Sequence, residues 1–214
     1  MTPTRLILAR HGETAWNVEG RYQGHCDSDL TDTGQAQAQC LAERFALEPF
    51  SILYTSDLGR ARQTADIIAT RTGCKVKADP RLRERSLGVM QGLRRVEFQE
   101  RLPVDYKRFT SGDPEYVPAD GESARASVDR FVSALTELAL IHAGQTVGVV
   151  THGGVLGGFL RIVLGIELDQ PRRYKRYNGS WNVFSFESGR WFLNTWGDIS
   201  HLARLGPCLS LDDP

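Results

Sequence analysis

The sequence has no excess of charge of either sign. Among 214 residues, 26 lysines and arginines balance 26 aspartates and glutamates. A balanced chain has no overall electric field that attracts nucleic acid or an anionic membrane, so neither partner is expected. With 41% hydrophobic residues the chain can bury a full core, and its length favours a single domain over residues 1–214.

Cysteine is scarce as well. Cys26, Cys40, Cys74 and Cys208 form no Cys-x-x-Cys pair and no metal-ligand spacing. In a chain of this length, that pattern is typical of reduced thiols in a cytoplasmic protein. The first residues also lack the long apolar core of a signal peptide. We therefore expect a cytoplasmic location.

One stretch is long enough to suggest a membrane span, because residues 143–160 contain no Lys, Arg, Asp or Glu. The stretch contains His152 and several glycines, however. Such a composition is more typical of a buried strand, a tight turn and a helix. A soluble protein is therefore expected.

Short, continuous apolar runs at 6–9, 51–54 and 146–150 predict strands that are covered on both faces, and 75–78 predicts another strand. Helical patterns lie between them, at 31–47, 59–72, 123–141 and 153–164. This alternation predicts an α/β three-layer sandwich with a mostly parallel central sheet and helices on both faces. Residues 182–187 and 190–195 flank Ser188-Gly189 and predict a hairpin of antiparallel edge strands.

Residues 86–121 show weak periodicity between clearer elements, which predicts a lid-like insertion or a binding loop. Between 81 and 108, basic residues outnumber acidic ones. This surplus fits either a solvated loop or a lid that attracts small polyanionic substrates. The basic residues are Arg81, Arg83, Arg85, Arg94, Arg95, Arg101, Lys107 and Arg108. A second basic run, at 172–176, is interpreted as a solvated connection.

Polar residues cluster where three of the predicted strands end. The strand at 6–9 leads into Arg10 and His11, the strand at 51–54 precedes Arg60, and the strand at 146–150 leads into His152. Because the carboxyl ends of parallel strands line the ligand crevice of an open sheet, these side chains are expected at one site. Arginine binds phosphate oxygens in bidentate fashion, so the site is predicted to hold phosphate.

This set of residues predicts phosphoryl transfer with His11 as the nucleophile. A neutral imidazole among arginines keeps a lone pair for attack on phosphorus, and His152 can stabilise the phosphoryl oxygens. The helices after Gly59 and Gly153 are expected to add backbone donors from their N-termini. Glu84, shortly after the strand at 75–78, is the best-placed proton donor. Arginine and imidazolium supply positive charge, so no metal is expected.

Other carboxyl and histidine side chains compete for these roles. Glu13 fits the orientation of neighbouring loop groups better than proton donation, and Glu122 fits the start of a helix. His25, beside Gln23-Gly24, is an alternative substrate contact. His142 and His201 are interpreted as structural.

Three further patterns are assigned no direct role. Arg62 would point to a different side of its helix from Arg60 and is interpreted as a surface or supporting residue. Residues 27–31 match the Asp-x-Asp-x-Thr motif of haloacid dehalogenase-type phosphatases, but they follow loop sequence instead of a buried strand. The glycines at 153–158 fail the spacing of a nucleotide-binding loop.

The segment 8–17, Leu-Ala-Arg-His-Gly-Glu-Thr-Ala-Trp-Asn, resembles the Arg-His-Gly motif of the histidine phosphatase superfamily, in its phosphoglycerate mutase-like branch. The resemblance continues in family order through 56–65, 82–88, 121–123 and 151–154. It implies a phosphoglycerate mutase-like fold, a phosphohistidine on His11 and a proton donor at Glu84. It also implies a phosphate pocket of Arg10, Arg60 and His152.

The same resemblance implies contacts with the substrate phosphoryl group from Asn17, from Gln23 with Gly24, and from the backbone of Gly153. It implies no required cofactor. The 2,3-bisphosphoglycerate primer enters only if the enzyme is a mutase.

Three functions follow from these residues. The preferred one is a phosphomonoesterase for a small phosphorylated metabolite, because residues 118–123 and Gln23 resemble the phosphatase side of the family. A 2,3-bisphosphoglycerate-dependent phosphoglycerate mutase uses the same core residues, and residues 90–93 resemble both sides. The third is a regulatory protein that binds phosphate without catalysis. A homodimer is the expected assembly.

Overall fold

The computed structural model describes residues 2–50 and 52–206, which contain a six-stranded sheet. Its strands are β1 (Thr4–Arg10), β2 (Ile52–Thr55), β3 (Lys75–Ala78), β4 (Thr146–Thr151), β5 (Trp181–Glu187) and β6 (Arg190–Asp198). They lie in the order β3-β2-β4-β1-β5-β6. The first four pair in parallel, and β5 and β6 add an antiparallel hairpin. The mostly parallel sheet with antiparallel edge strands is thus confirmed.

Seven α-helices lie in the described residues, and the four predicted ones are among them. They are α1 (Ala15–Glu19), α2 (Asp32–Phe45), α3 (Gly59–Thr72), α4 (Arg95–Arg101), α5 (Pro103–Thr110), α6 (Ala124–Ile141) and α7 (Gly153–Leu164). The helices α3 and α7 have the predicted bounds. The sequence pattern did not predict α1, α4 or α5, which are only 5, 7 and 8 residues long and so show no clear helical period.

Side chains and backbone at the helix ends explain these bounds. The Thr31 side chain accepts a hydrogen bond from the Gly34 amide at the start of α2, and Ser123 does the same for Ala126 at the start of α6. Gly73, with φ at +69°, ends α3 in a left-handed conformation that costs glycine little.

The sheet separates two apolar layers, which confirms the three-layer sandwich. On one face, α6 and α7 bury Phe131, Leu135 and Phe159 against the sheet. On the other, α2 and α3 bury Phe45 and Ile68. Because β1 and β4 are covered on both faces, they show continuous apolarity instead of alternation.

The segment 86–121 carries α4 and α5 and forms a smaller apolar cluster around Tyr22, Met90 and Phe98. Arg85, directly before this segment, joins its start to its end, because its guanidinium donates to the carbonyl oxygens of Tyr116 and Glu122 at 2.8 Å each. Its role as a lid stays a prediction.

No described helix is long and apolar enough to cross a membrane. The apolar stretch at 143–160 contains β4 and the first part of α7. Three of the cysteines, Cys26, Cys40 and Cys74, carry free thiols. Cys208 lies outside the described residues.

Candidate active site

The register of the parallel strands brings their polar ends together. Arg10 of β1 pairs with Thr151 of β4, so His11 and His152 follow at the same level. The His11 amide donates to the Thr151 carbonyl oxygen at 3.0 Å, and the two imidazole centroids lie 5.2 Å apart. The predicted convergence of the two histidines therefore holds.

A cavity of about 270 Å³ opens beside these strand ends. Five of the residues predicted for the site line it, namely His11, Gln23, Gly24, Arg60 and Glu84. Glu84 is the only carboxyl side chain among the described residues that line the cavity. The cavity therefore combines a candidate nucleophile, a cation and one candidate proton donor.

The His11 ring has a defined tautomer. Its side chain is 2% exposed, and its Nδ1 lies 2.7 Å from the Gly12 carbonyl oxygen. Because a carbonyl oxygen only accepts hydrogen bonds, Nδ1 carries the proton and Nε2 keeps the lone pair. The nitrogen available for attack is thus Nε2.

His152 is fully buried and, among the described residues, no group hydrogen-bonds to either of its ring nitrogens. Burial lowers its pKa well below the ordinary value of 6.5, and the positive charge of Arg60 lowers it further. The side chain is therefore a neutral imidazole in the free protein, which differs from the imidazolium expected from the sequence. Buried polar atoms are rarely left without partners, so this ring is suited to hydrogen-bond a bound ligand.

Two arginines of the predicted phosphate pocket are buried. Arg10 is 0% exposed and donates from Nη1 to the Arg176 carbonyl oxygen. Arg60 is 1% exposed and reaches the carbonyl oxygens of Gly24 and Cys26 at 2.8 and 2.9 Å. Its Nη1 also lies 2.8 Å from Asp27 Oδ1. Arg60 therefore fixes the loop at 24–27 as well as contributing charge to the cavity.

The Glu84 carboxylate is held by backbone amides. Its Oε2 accepts from Gly154 at 2.6 Å, and its Oε1 accepts from Arg85 at 2.8 Å and from Val155 at 3.1 Å. A Cβ at position 154 would lie 2.4 Å from Glu84 Oε1, so glycine is needed there for this close approach. The carboxyl group is thereby fixed at the cavity wall.

The N-termini of α3 and α7 were expected to bind phosphate, but side-chain carboxylates occupy them. Carboxylates take their first amides: Asp27 accepts from Gly59 at 2.7 Å at the start of α3, and Glu84 accepts from Gly154 and Val155 at the start of α7. The first backbone amides of a helix have no partner within the helix, and together with the helix dipole they attract a carboxylate as well as a phosphate. Asp27 lies in a loop, which agrees with rejecting the haloacid dehalogenase motif.

The other four residues predicted for the site, Arg10, Asn17, His152 and Gly153, do not line the cavity. Asn17 caps α1 in a reciprocal pair with Thr14, and its Oδ1 accepts from Asn178 at 3.2 Å. Gly153 is buried at the start of α7. The contacts of Asn17 and Gly153 with a phosphoryl group stay predictions.

The competing carboxyls have structural partners. Glu13 accepts from the Thr31 hydroxyl at 2.8 Å, and Glu122 accepts from the Ser86 amide at 2.8 Å and from Arg130 at 2.7 Å. Neither lines the cavity.

The remaining histidines do not line the cavity either. His25 Nε2 donates to the Glu84 carbonyl oxygen at 2.8 Å and so supports the segment that carries the carboxyl. His142 pairs with the Tyr54 hydroxyl at 3.0 Å, and His201 Nε2 lies 2.9 Å from the Gly179 carbonyl oxygen. Burial lowers the pKa of His201 to about 4. Arg62 is exposed, in agreement with its predicted surface position.

Most of the arginines that line the cavity lie outside the basic segment at 81–108 that was expected to supply them. Of the eight basic residues between 81 and 108, only Arg85 lines it. Arg81 and Arg83 pair instead with Asp79 and Asp57.

The run at 172–176 is not merely a solvated connection, because Arg172, Tyr174 and Arg176 line the cavity together with Arg161. The Tyr174 hydroxyl donates to the Gly157 carbonyl oxygen at 2.8 Å. The Arg161 Nη1 donates to three carbonyl oxygens of 167–170 at 2.7 to 3.2 Å. These bonds fold the loop back over α7.

The described part of the chain has no group of three or more His, Cys, Asp or Glu side chains that could hold a metal ion. At the cavity, the His11 ring and the Glu84 carboxylate bond instead to backbone groups.

The chain is similar to known proteins over nearly its whole length. The family model of the histidine phosphatase superfamily, branch 1, matches residues 6–199. An Arabidopsis thaliana protein named phosphoglycerate mutase-like protein 4 is 42% identical over 206 residues, covering 94% of this chain and 88% of that protein. The metal-independent phosphoserine phosphatase of the same plant is 41% identical over 207 residues, covering 95% and 85%.

A solved structure shows the same fold. Bacillus stearothermophilus YhfR superposes with a TM-score of 0.87 at 34% sequence identity, covering 93% of this chain and 99% of that chain. The matches extend over nearly the whole of each chain.

Proposed function

The chain belongs to the histidine phosphatase superfamily, branch 1, and on this premise we propose that it is a phosphomonoesterase that acts on a small phosphorylated metabolite through a phosphohistidine on His11. The observation that carries the proposal is the His11 ring itself. Its Nδ1 is bonded to the Gly12 carbonyl oxygen, which leaves Nε2 as the acceptor nitrogen of a residue that lines the same cavity as Arg60 and Glu84.

The reaction we propose has two displacements. His11 Nε2 attacks phosphorus in line, the bond to the leaving oxygen breaks, and that oxygen takes a proton from Glu84. Water then attacks the phosphohistidine, gives a proton to the Glu84 carboxylate, and returns the bonding electron pair to Nε2. Orientation and electrostatic stabilisation supply most of the rate enhancement in such a transfer.

The positive charge for the phosphoryl group would come from Arg10 and Arg60, which are both buried. A neutral His152 donates one hydrogen bond to an equatorial oxygen, and the bound phosphate dianion would offset the nearby arginine charge that lowers its pKa. Asn17, Gln23, Gly24 and the Gly153 amide complete the proposed phosphate and substrate contacts.

The size of the cavity supports a small substrate. Its volume of about 270 Å³ lies near the lower end of ligand pockets, which span about 300–1,000 Å³. Tyr22, Leu87 and Phe109 form an apolar wall, and several arginines surround the rest. We propose that the leaving group lies against this wall.

The proposal is tested by measuring phosphate release from a panel of small phosphomonoesters, with p-nitrophenyl phosphate as the generic substrate. Turnover of any of them excludes a protein that only binds phosphate. Retention of a tightly bound phosphate without turnover would support that regulatory alternative and contradict the enzyme.

Metal removal is expected to leave the activity unchanged. The arginines supply the positive charge that magnesium supplies in other phosphatases, and a relative is named a metal-independent phosphatase. The measurement compares kcat/KM before and after exhaustive dialysis against EDTA. Activity that disappears with EDTA and returns with added Mg²⁺ or Zn²⁺ would contradict the metal-independent mechanism.

The second candidate function is a 2,3-bisphosphoglycerate-dependent phosphoglycerate mutase, since one relative is named phosphoglycerate mutase-like. We favour the phosphatase because Gln23, which resembles the phosphatase side, lines the cavity. Incubation of 3-phosphoglycerate with a trace of 2,3-bisphosphoglycerate is expected to yield no 2-phosphoglycerate. Accumulation of 2-phosphoglycerate without free phosphate would establish the mutase instead.

We further propose a cytoplasmic location, supported by the free thiols of Cys26, Cys40 and Cys74. The homodimer stays a prediction.

A further inference from the structure

Asn178, in the loop between α7 and β5, is 1% exposed and lies directly beside the nucleophile segment. We propose that Asn178 is a positioning residue that holds the His11 ring in one orientation and one tautomer by fixing the Gly12 carbonyl group. The inference rests on the proposed role of His11 as the nucleophile, and it assigns a task to a residue that the sequence did not single out.

Three contacts of Asn178 come from its side-chain amide nitrogen. Its Nδ2 lies 3.1 Å from the His11 carbonyl oxygen, 3.3 Å from the Gly12 carbonyl oxygen and 3.2 Å from Asn17 Oδ1. Backbone carbonyl oxygens can only accept, so the atom that faces two of them must be the NH₂ group. The orientation of the amide is therefore fixed by its surroundings.

The Gly12 carbonyl oxygen links Asn178 to the ring. It accepts from His11 Nδ1 at 2.7 Å and from Asn178 Nδ2 at 3.3 Å, which uses both of its lone pairs. A hydrogen bond from the buried amide resists rotation of this carbonyl group away from Nδ1. The ring therefore stays protonated at Nδ1, and Nε2 stays the acceptor that faces the reaction.

The backbone around Asn178 supports the same segment. Gly179 has φ at +65°, and its amide donates to the His11 carbonyl oxygen at 3.2 Å. The Arg10 amide donates to the Ser180 carbonyl oxygen at 3.2 Å. The loop at 176–180 thus binds the end of β1 on both sides of the nucleophile, and Asn178 is the side chain within it that reaches the ring's own acceptor.

Asn182 offers a matched control. It is 0% exposed, lies on β5, and its Nδ2 donates to the Leu8 carbonyl oxygen of β1 at 3.0 Å. Asn182 therefore buries its amide against β1, and Asn178 buries its amide against the segment that directly follows β1. Asn182 does so three positions before the nucleophile, and its other side-chain partners are the Ser180 hydroxyl and the Gly197 amide, not the Gly12 carbonyl that bonds to the His11 ring.

The kinetic test compares Asn178→Leu with Asn182→Leu, because leucine keeps the shape of asparagine and removes its donors. A displacement of about 1 Å costs on the order of 10²-fold in rate, so kcat of Asn178→Leu is expected to fall about 10²-fold with KM little changed. Asn182→Leu is expected to lose stability in urea and to keep kcat. An equal loss of kcat in both variants would overturn the proposal, since it would report only general damage.

The spectroscopic test needs no turnover. Two-bond proton–nitrogen correlation spectra of ¹⁵N-histidine protein report which ring nitrogen carries the proton, and His11→Gln assigns the His11 signals. The wild-type protein is expected to show the Nδ1–H tautomer, and Asn178→Leu a mixture or the other tautomer. An unchanged His11 tautomer in Asn178→Leu overturns the proposal whatever the kinetics. A wild-type protein without phosphatase activity would contradict the proposed function, and the spectra would still decide the role of Asn178.

Discussion

Replacement of His11 by alanine is expected to abolish hydrolysis of phosphomonoesters, with kcat/KM falling on the order of 10⁴-fold or more. Removal of the nucleophile of a covalent mechanism costs a factor of this size, because the enzyme then keeps only its binding and electrostatic contributions. His152 does not line the described cavity, and Glu84, the one carboxyl that does, is fixed on backbone amides, so neither is placed to replace the ring. The measurement is steady-state phosphate release from p-nitrophenyl phosphate.

The same variant should lose the covalent intermediate. Wild-type protein mixed with ³²P-labelled substrate and quenched in base is expected to retain label that acid releases, as a phosphohistidine does, and His11→Ala should retain none. His142→Ala is the control, because His142 bonds to the Tyr54 hydroxyl away from the cavity. Full activity in His11→Ala, or label that persists in it, would rule out His11 as the nucleophile.

Replacement of Glu84 by glutamine is expected to lower kcat by about 10²- to 10⁴-fold for an alkyl phosphate, which is the usual contribution of a general acid. Glutamine keeps the shape of the side chain and one carbonyl oxygen for the amides of Gly154 and Val155. It cannot deliver the proton that an alkoxide leaving group needs. The measurement is kcat for a small alkyl phosphate, with stability followed by urea unfolding.

The leaving group provides the sharper comparison. p-Nitrophenolate leaves without much help from an acid, so Glu84→Gln should impair formation of the phosphoenzyme from the aryl ester far less than from the alkyl ester. Glu13→Gln is the matched control, because Glu13 accepts from the Thr31 hydroxyl outside the cavity. Equal losses for the two esters would argue that Glu84 acts only by holding the start of α7. A larger loss in Glu13→Gln would move the proton donor to Glu13.

The strands, most of the helices and the convergence of the two histidines could be predicted from the sequence. Apolar runs such as 146–150 and caps such as Thr31 and Gly73 act over a few neighbouring residues, so they are visible locally. Parallel pairing then places every strand's carboxyl end at one edge of the sheet, which brings His11 and His152 together.

The basic residues around the cavity show the limit of that reasoning. Charge counting pointed to the segment at 81–108, of which the cavity uses Arg85 alone. Arg161 and Tyr174 instead fold 172–176 over α7 through side-chain bonds to carbonyl oxygens. Those bonds depend on the path of a loop, and no local pattern in the sequence encodes it.

By itself, the sequence determined that a histidine and arginines stand at strand ends, and hence the kind of chemistry. The tertiary structure decided which nitrogen of His11 is the acceptor, that Glu84 and Asp27 occupy the helix N-termini, and that Asn178 supports the nucleophile. The physical reason is distance along the chain. A hydrogen bond such as that from Asn178 to Gly12 joins residues 166 positions apart, and only the folded backbone brings such donors and acceptors within 3.3 Å.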